Sequence, residues 1–73
     1  MGARLRNIVR AAREYGIEFE KPDSGSHWKA KKHGYRTYPI PAHNKENSEI
    51  SDQYIRGFCR NFEIDASEFR SKL

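Results

Sequence analysis

The sequence predicts a small α+β domain, a three-stranded antiparallel sheet with helices on one face, in the order αβββα(α). Two patterns predict it. Apolar residues recur at helical spacing near both ends of the chain and alternate with charged residues through its middle. Turn chemistry at Gly16, Pro22-Asp23-Ser24-Gly25 and His33-Gly34 separates the segments. All 73 residues, 1–73, read as one domain. A chain this short buries only about 60% of the surface its unfolded form exposes, so its core is small.

The first helix is expected over Ala3 to Tyr15. Leu5, Ile8, Val9, Ala12 and Tyr15 form one stripe, with Arg6, Arg10 and Arg13 on another beside it. Gly16 stands where a left-handed helix cap suits glycine. Ile17 to Lys21 reads as a half-buried strand, with Ile17 and Phe19 on one side and Glu18 and Glu20 on the other. Ser26 to Lys32 is the second strand. Its period of two sends Trp28 and Ala30 to the core and His27, Lys29 and Lys31 to solvent. A tight turn at His33-Gly34 leads into a third strand, Tyr35 to Ile40, with Tyr38 and Ile40 inward. Pro39 and Pro41 cannot donate ladder hydrogen bonds, which places its end at a sheet edge.

Ala42 to Ile50 reads as a polar loop. The second helix starts near Ser51, an N-cap residue, with Asp52 placed against the helix dipole. Tyr54, Ile55, Phe58, Cys59 and Phe62 form its apolar face. Asp65 then caps a short third helix, with Glu68 at the capping-box position and Ile64 and Phe69 at the staple positions.

The formal net charge is +4 and one-third of the residues are charged. A basic surface on a small domain favours polyanionic partners, nucleic acid being the commonest. No apolar run approaches the roughly 20 residues of a membrane span. The N-terminal arginines lack the apolar core of a signal peptide. A lone cysteine, Cys59, permits no internal disulfide, which fits a reducing compartment, the cytoplasm.

Gly25-Ser26-His27-Trp28 is the most informative segment. Glycine lets a ligand approach the backbone closely. An outward imidazole at position 27 can take a proton from a ribose 2′-hydroxyl or give one to a leaving 5′-oxygen. Lys29 and Lys31 share its face and can hold phosphate or stabilise developing negative charge. On the bare tripeptide a plain surface histidine at a strand start is the commoner case. Trp28 is expected to anchor the core, base stacking being the lesser role. Lys29, Lys31, Lys32, His33 and Arg36, with Tyr35 and Tyr38 between them, concentrate charge on one hairpin and suit a phosphate backbone with unpaired bases.

His43 is a second candidate supporting group, although a loop histidine without a role is the commoner case. His27, His33, His43 and Cys59 lack the paired spacing of zinc ligands, so neither a metal nor another cofactor is expected. Cys59 falls on the buried helical face and reads as an inert core thiol. No phosphate-binding glycine loop or nucleophile elbow is present.

Together these features resemble the HicA family of type II toxin–antitoxin systems. The resemblance covers nearly the whole chain. It runs from the amphipathic first helix ending at Gly16, through Gly25-Ser26-His27 followed by an aromatic, to Ile40-Pro41-Ala42-His43, similar to the family's V-P-x-H. Asn44-Lys45-Glu46, Glu49-Ile50-Ser51 and Ile64-Asp65-Ala66-Ser67-Glu68-Phe69 resemble the family's later segments. Ile17 stands where the family usually has a large aromatic, Lys21 where it often has arginine, and the turn after Lys21 is about one residue longer than usual.

The resemblance implies a fold like the double-stranded-RNA-binding domain. It implies an endoribonuclease cleaving single-stranded regions of mRNA independently of the ribosome, with His27 as the essential residue and a HicB-like antitoxin covering this face. Ser26, Lys29, Lys31, Lys32, Arg36 and His43 are the expected supporting or RNA-binding groups. The rival is a non-catalytic RNA-binding module of the same fold. True double-stranded-RNA-binding domains carry a lysine cluster at the start of the last helix. Here that position holds Ser51-Asp52-Gln53.

Overall fold

The computed structural model of the chain describes residues 2–25, 27–42 and 45–73. Among them, β1 (Ala3–Arg4) leads into α1 (Leu5–Arg13), followed by β2 (Glu18–Glu20), β3 (His27–Lys31) and β4 (Tyr38–Pro41). A 3-10 turn (Lys45–Asn47), β5 (Glu49–Ile50), α2 (Asp52–Asn61) and α3 (Ala66–Arg70) complete the chain. Strands β2, β3 and β4 form an antiparallel sheet in that order. Phe19 pairs with Ala30, and Trp28 with Ile40. This is the expected α+β arrangement of a three-stranded antiparallel sheet with helices.

Alternation decides the two faces. Trp28, Ala30 and Ile40 are buried, and join Leu5, Ile8, Ala11 and Ala12 of α1 and Ile55, Phe58 and Cys59 of α2 in one core. Phe58 sits at its centre, with Phe19, Tyr38, Phe62 and Phe69 rings around it at centroid distances of 5.0–6.2 Å. Glu18, Glu20, His27, Lys29, Lys31 and Pro39 are exposed on the other side of the sheet. Edge strand β4 carries Pro39 and Pro41. Because neither has an N–H, the hydrogen-bonded pairs of the β3–β4 ladder are Trp28–Ile40 and Ala30–Tyr38.

The structure corrects several expected boundaries. Helix α1 starts two residues later than expected, because Ala3 and Arg4 instead pair with Ile50 and Glu49. That pairing seats Leu5 and Ile50 in the core and turns part of the expected polar loop into strand β5. Tyr15 lies in the turn after α1, and Gly16 adopts φ +76° there. The tight turn expected at His33-Gly34 is a six-residue connection, 32–37, and β4 begins only at Tyr38. This connection is fastened to α2 and the turn after it. The Tyr35 ring lies 5.8 Å from Phe62, and Asn61 Nδ2 donates to the Arg36 carbonyl at 2.8 Å.

Helix α2 begins after Ser51 as expected, but the Ser51 side chain makes no capping bond. Asp52 instead pairs with Arg56 at 3.1 Å and with Arg70 of α3. Tyr54, placed on the apolar face by periodicity, is 39% exposed, while Ile55, Phe58, Cys59 and Phe62 are buried. The Asp65 cap forms, its carboxylate accepting from the Glu68 N–H at 3.2 Å, and Phe69 is fully buried behind it. No helix among the described residues is long and apolar enough to cross a membrane.

Candidate functional site

His27 is the first residue of β3 and faces out of the sheet beside Pro41. Gly25, at φ +86°, turns the chain into the strand. That conformation is strained for a residue with a side chain, and none of the described residues has an atom within 4 Å of where a Cβ would stand. The open space beside it continues into a groove of about 470 Å³ lined by Glu20, Lys21, Pro22, Asp23, Ser24, Gly25, His27 and Lys29. The groove therefore brings one imidazole together with two carboxylates and two ammonium groups. Groups able to exchange a proton and cations able to hold a phosphate thus line one concavity. Ser26 and His43, both expected to support His27, lie outside the described residues.

The lysines are less available to a ligand than alternation alone suggests. Lys31 Nζ lies 2.9 Å from Glu20 Oε1. A hydrogen bond from Lys31, reinforced by its charge and more weakly by Lys29, holds the Glu20 carboxyl below its ordinary value. Antiparallel pairing sets Glu20 beside Lys29 and Glu18 beside Lys31, so two acidic residues share the outer face with the two lysines.

The structure does not gather the whole basic hairpin at His27. At about 3.3 Å per residue, Lys31 is about 13 Å along the strand from His27, and Lys32 and Arg36 lie beyond it. Lys32 Nζ sits 5.2 Å from the centre of the Tyr35 ring, a cation–π contact at the far end of the sheet. Among the described residues of the expected set, only Lys29 lines the His27 groove.

Glu20, Lys21 and Asp23 are groove residues that sequence reasoning did not assign to this site. For Glu20 the signal was present: strand alternation put Glu18 and Glu20 on one side, and antiparallel pairing to β3 then sets them against the lysines. Cys59 is buried among the helices, where burial and the nearby Asp65 push its thiol up to about 11, leaving it protonated and unreactive. Among the described residues no three His, Cys, Asp or Glu side chains cluster as metal ligands would. Comparison with protein-family models, curated proteins and solved structures found no match for the chain.

Proposed function

We propose that this chain is a metal-independent endoribonuclease of the HicA type, a toxin that cleaves mRNA in single-stranded regions with His27 as its catalytic residue. The observation that carries the reading is His27 itself, exposed in a groove that also holds Lys21, Lys29 and two carboxylates. The likeness of Gly25-Ser26-His27 and Pro41-Ala42-His43 to the family's motifs supports it. A helix, three antiparallel strands and a following helix, in that order, also fit a fold of the double-stranded-RNA-binding kind.

In the reaction proposed, the ribose 2′-oxygen attacks the adjacent phosphorus while its proton passes to a base. The P–O5′ bond breaks, the 5′-oxygen receives a proton, and a 2′,3′-cyclic phosphate remains. His27 is the base or the acid of this exchange, and Lys29 offsets charge on the non-bridging oxygens. The partners that follow are mRNA and a HicB-like antitoxin covering the groove, in the cytoplasm.

A second reading, a non-catalytic RNA-binding module of the same fold, draws on one observation. Among the described residues, none hydrogen-bonds the His27 ring to orient it. Expression in bacteria separates the two readings. The nuclease arrests growth and degrades mRNA, and His27→Ala abolishes both while the domain stays folded. A folded His27→Ala variant as toxic as the parent removes His27 from the chemistry.

A further inference from the structure

A second groove, of about 410 Å³, is lined by Arg6, Lys21, Trp28, Lys45, Glu46 and Asn47. It draws on the first turn of α1, the residue that follows β2, strand β3 and the 3-10 turn. Its charge differs from that of the His27 groove. There, Lys21 and Lys29 face Glu20 and Asp23 in equal number. Here three cations face Glu46 alone. Among the described residues, neither Lys21 nor Lys45 makes an ion pair, whereas Lys31 does so with Glu20.

Arg6 is held in place. Its Nη2 donates to Asn47 Oδ1 at 2.8 Å, and Arg4 Nη1 donates to the Asn47 carbonyl at 3.1 Å. A guanidinium has five N–H donors, so most of those on Arg6 remain for a ligand. Lys45 adopts φ +62°, a left-handed conformation that residues with side chains adopt rarely. Trp28 is 6% exposed and otherwise packed in the core, so it supplies a fixed aromatic edge in the groove. Cations gathered along one groove suit the phosphate backbone of a single-stranded nucleic acid. His27 and Trp28, consecutive on β3, face opposite sides of the sheet, but Lys21, next to the edge strand β2, lines both grooves, so the two concavities adjoin there.

We infer that Arg6, Lys21 and Lys45 form a phosphate subsite that holds the backbone of a single-stranded RNA beside the nucleotide at His27. The inference rests on the proposed RNA-cleaving function, which it deepens by placing the phosphate grip in this groove rather than on the hairpin lysines.

The test is a titration of a short fluorescently labelled single-stranded RNA at several salt concentrations, on a His27→Ala background so that no cleavage intervenes. Lys21→Gln/Lys45→Asn removes two charges, keeps the Arg6–Asn47 bond, and places at 45 a residue that tolerates positive φ. Adding Arg6→Gln completes the set, with folding checked by circular dichroism. Affinity falls at least about fivefold at low salt, and the salt slope flattens by ~0.7 for each phosphate that is no longer neutralised. RNA also perturbs the fluorescence of the sole tryptophan, Trp28, in the parent and less so in the variant. Unchanged affinity, slope and tryptophan response in the folded double variant overturn the subsite, even where the wild type cleaves RNA. A wild type that fails to cleave but loses RNA binding on these substitutions supports the subsite while the nuclease reading falls. Polyglutamate competing as well as RNA marks the groove as a docking site for acidic protein and overturns the inference.

Discussion

Gly57→Ala sets two effects of opposite sign against each other. Gly57 lies within α2, where alanine is intrinsically favoured by about 1 kcal/mol. The Tyr38 ring from β4 crosses the helix at this point. A Cβ at 57 would stand 2.3 Å from the Tyr38 hydroxyl oxygen, 3.2 Å from Cζ and 3.5 Å from Cε1. The ring cannot simply swing away. It packs edge-on against Phe58 at 6.2 Å, and its hydroxyl donates to the Tyr54 carbonyl at 3.2 Å. Overpacking of this kind costs about 1–3 kcal/mol, and losing the hydroxyl's bond costs about 1 kcal/mol more. The clash outweighs the propensity gain, leaving a net destabilisation of roughly 1–3 kcal/mol. In a domain of this length that lowers Tm by roughly 4–24 °C. Thermal and urea unfolding, followed by circular dichroism, measure it. Tyr38→Phe in the same chain removes the nearest clashing atom, so the pair of substitutions costs less than the sum of the two singles. A Gly57→Ala variant as stable as the parent, or more so, refutes the packing account.

Other outcomes follow from individual side chains. Glu20→Gln removes a negative charge from the lining of the His27 groove and tightens RNA binding severalfold at low salt; weaker binding contradicts the view that RNA lies in that groove. The Glu20 carboxyl is depressed in the fold, so its contribution to stability is present above the ordinary carboxylate range and fades as pH falls. Urea midpoints of the parent and Glu20→Gln therefore converge in acid, and a gap that widens there contradicts the assignment. Asp65→Ala removes the α3 cap and costs about 1 kcal/mol in urea unfolding; no loss shows that the Phe69 anchor suffices. Iodoacetamide at pH 8 labels Cys59 only on unfolding, and fast native labelling contradicts its burial.

Elements with strong local periodicity were legible in the sequence: the α1 stripe, the alternation of β3, and the Asp65 cap. Each depends on neighbours within a few residues. Features set by distant partners were not legible. Ala3–Arg4 continues a helical pattern locally and becomes a strand only because residues 49 and 50 come alongside it. The late start of β4 reflects Tyr35 and Arg36 being held by Phe62 and Asn61, a quarter of the chain or more away. At the candidate site, alternation put His27, Lys29 and Lys31 on one face. The acidic partners followed only from the strand pairing, which a residue-by-residue charge reading overlooks. Arg6, Lys21 and Lys45 have no sequence signature as a group, because three separate elements bring them together.

In the mechanism proposed, His27 performs chemistry on RNA. The most direct test is a time course of purified protein with a defined single-stranded RNA in excess EDTA, with the new ends identified by mass spectrometry. The account predicts cleavage by the wild type, with 2′,3′-cyclic phosphate or its hydrolysis product at the new end. It also predicts loss of cleavage in a folded His27→Ala variant that still binds the RNA. Cleavage by that variant at the wild-type rate, or activity that EDTA removes and a divalent ion restores, contradicts it.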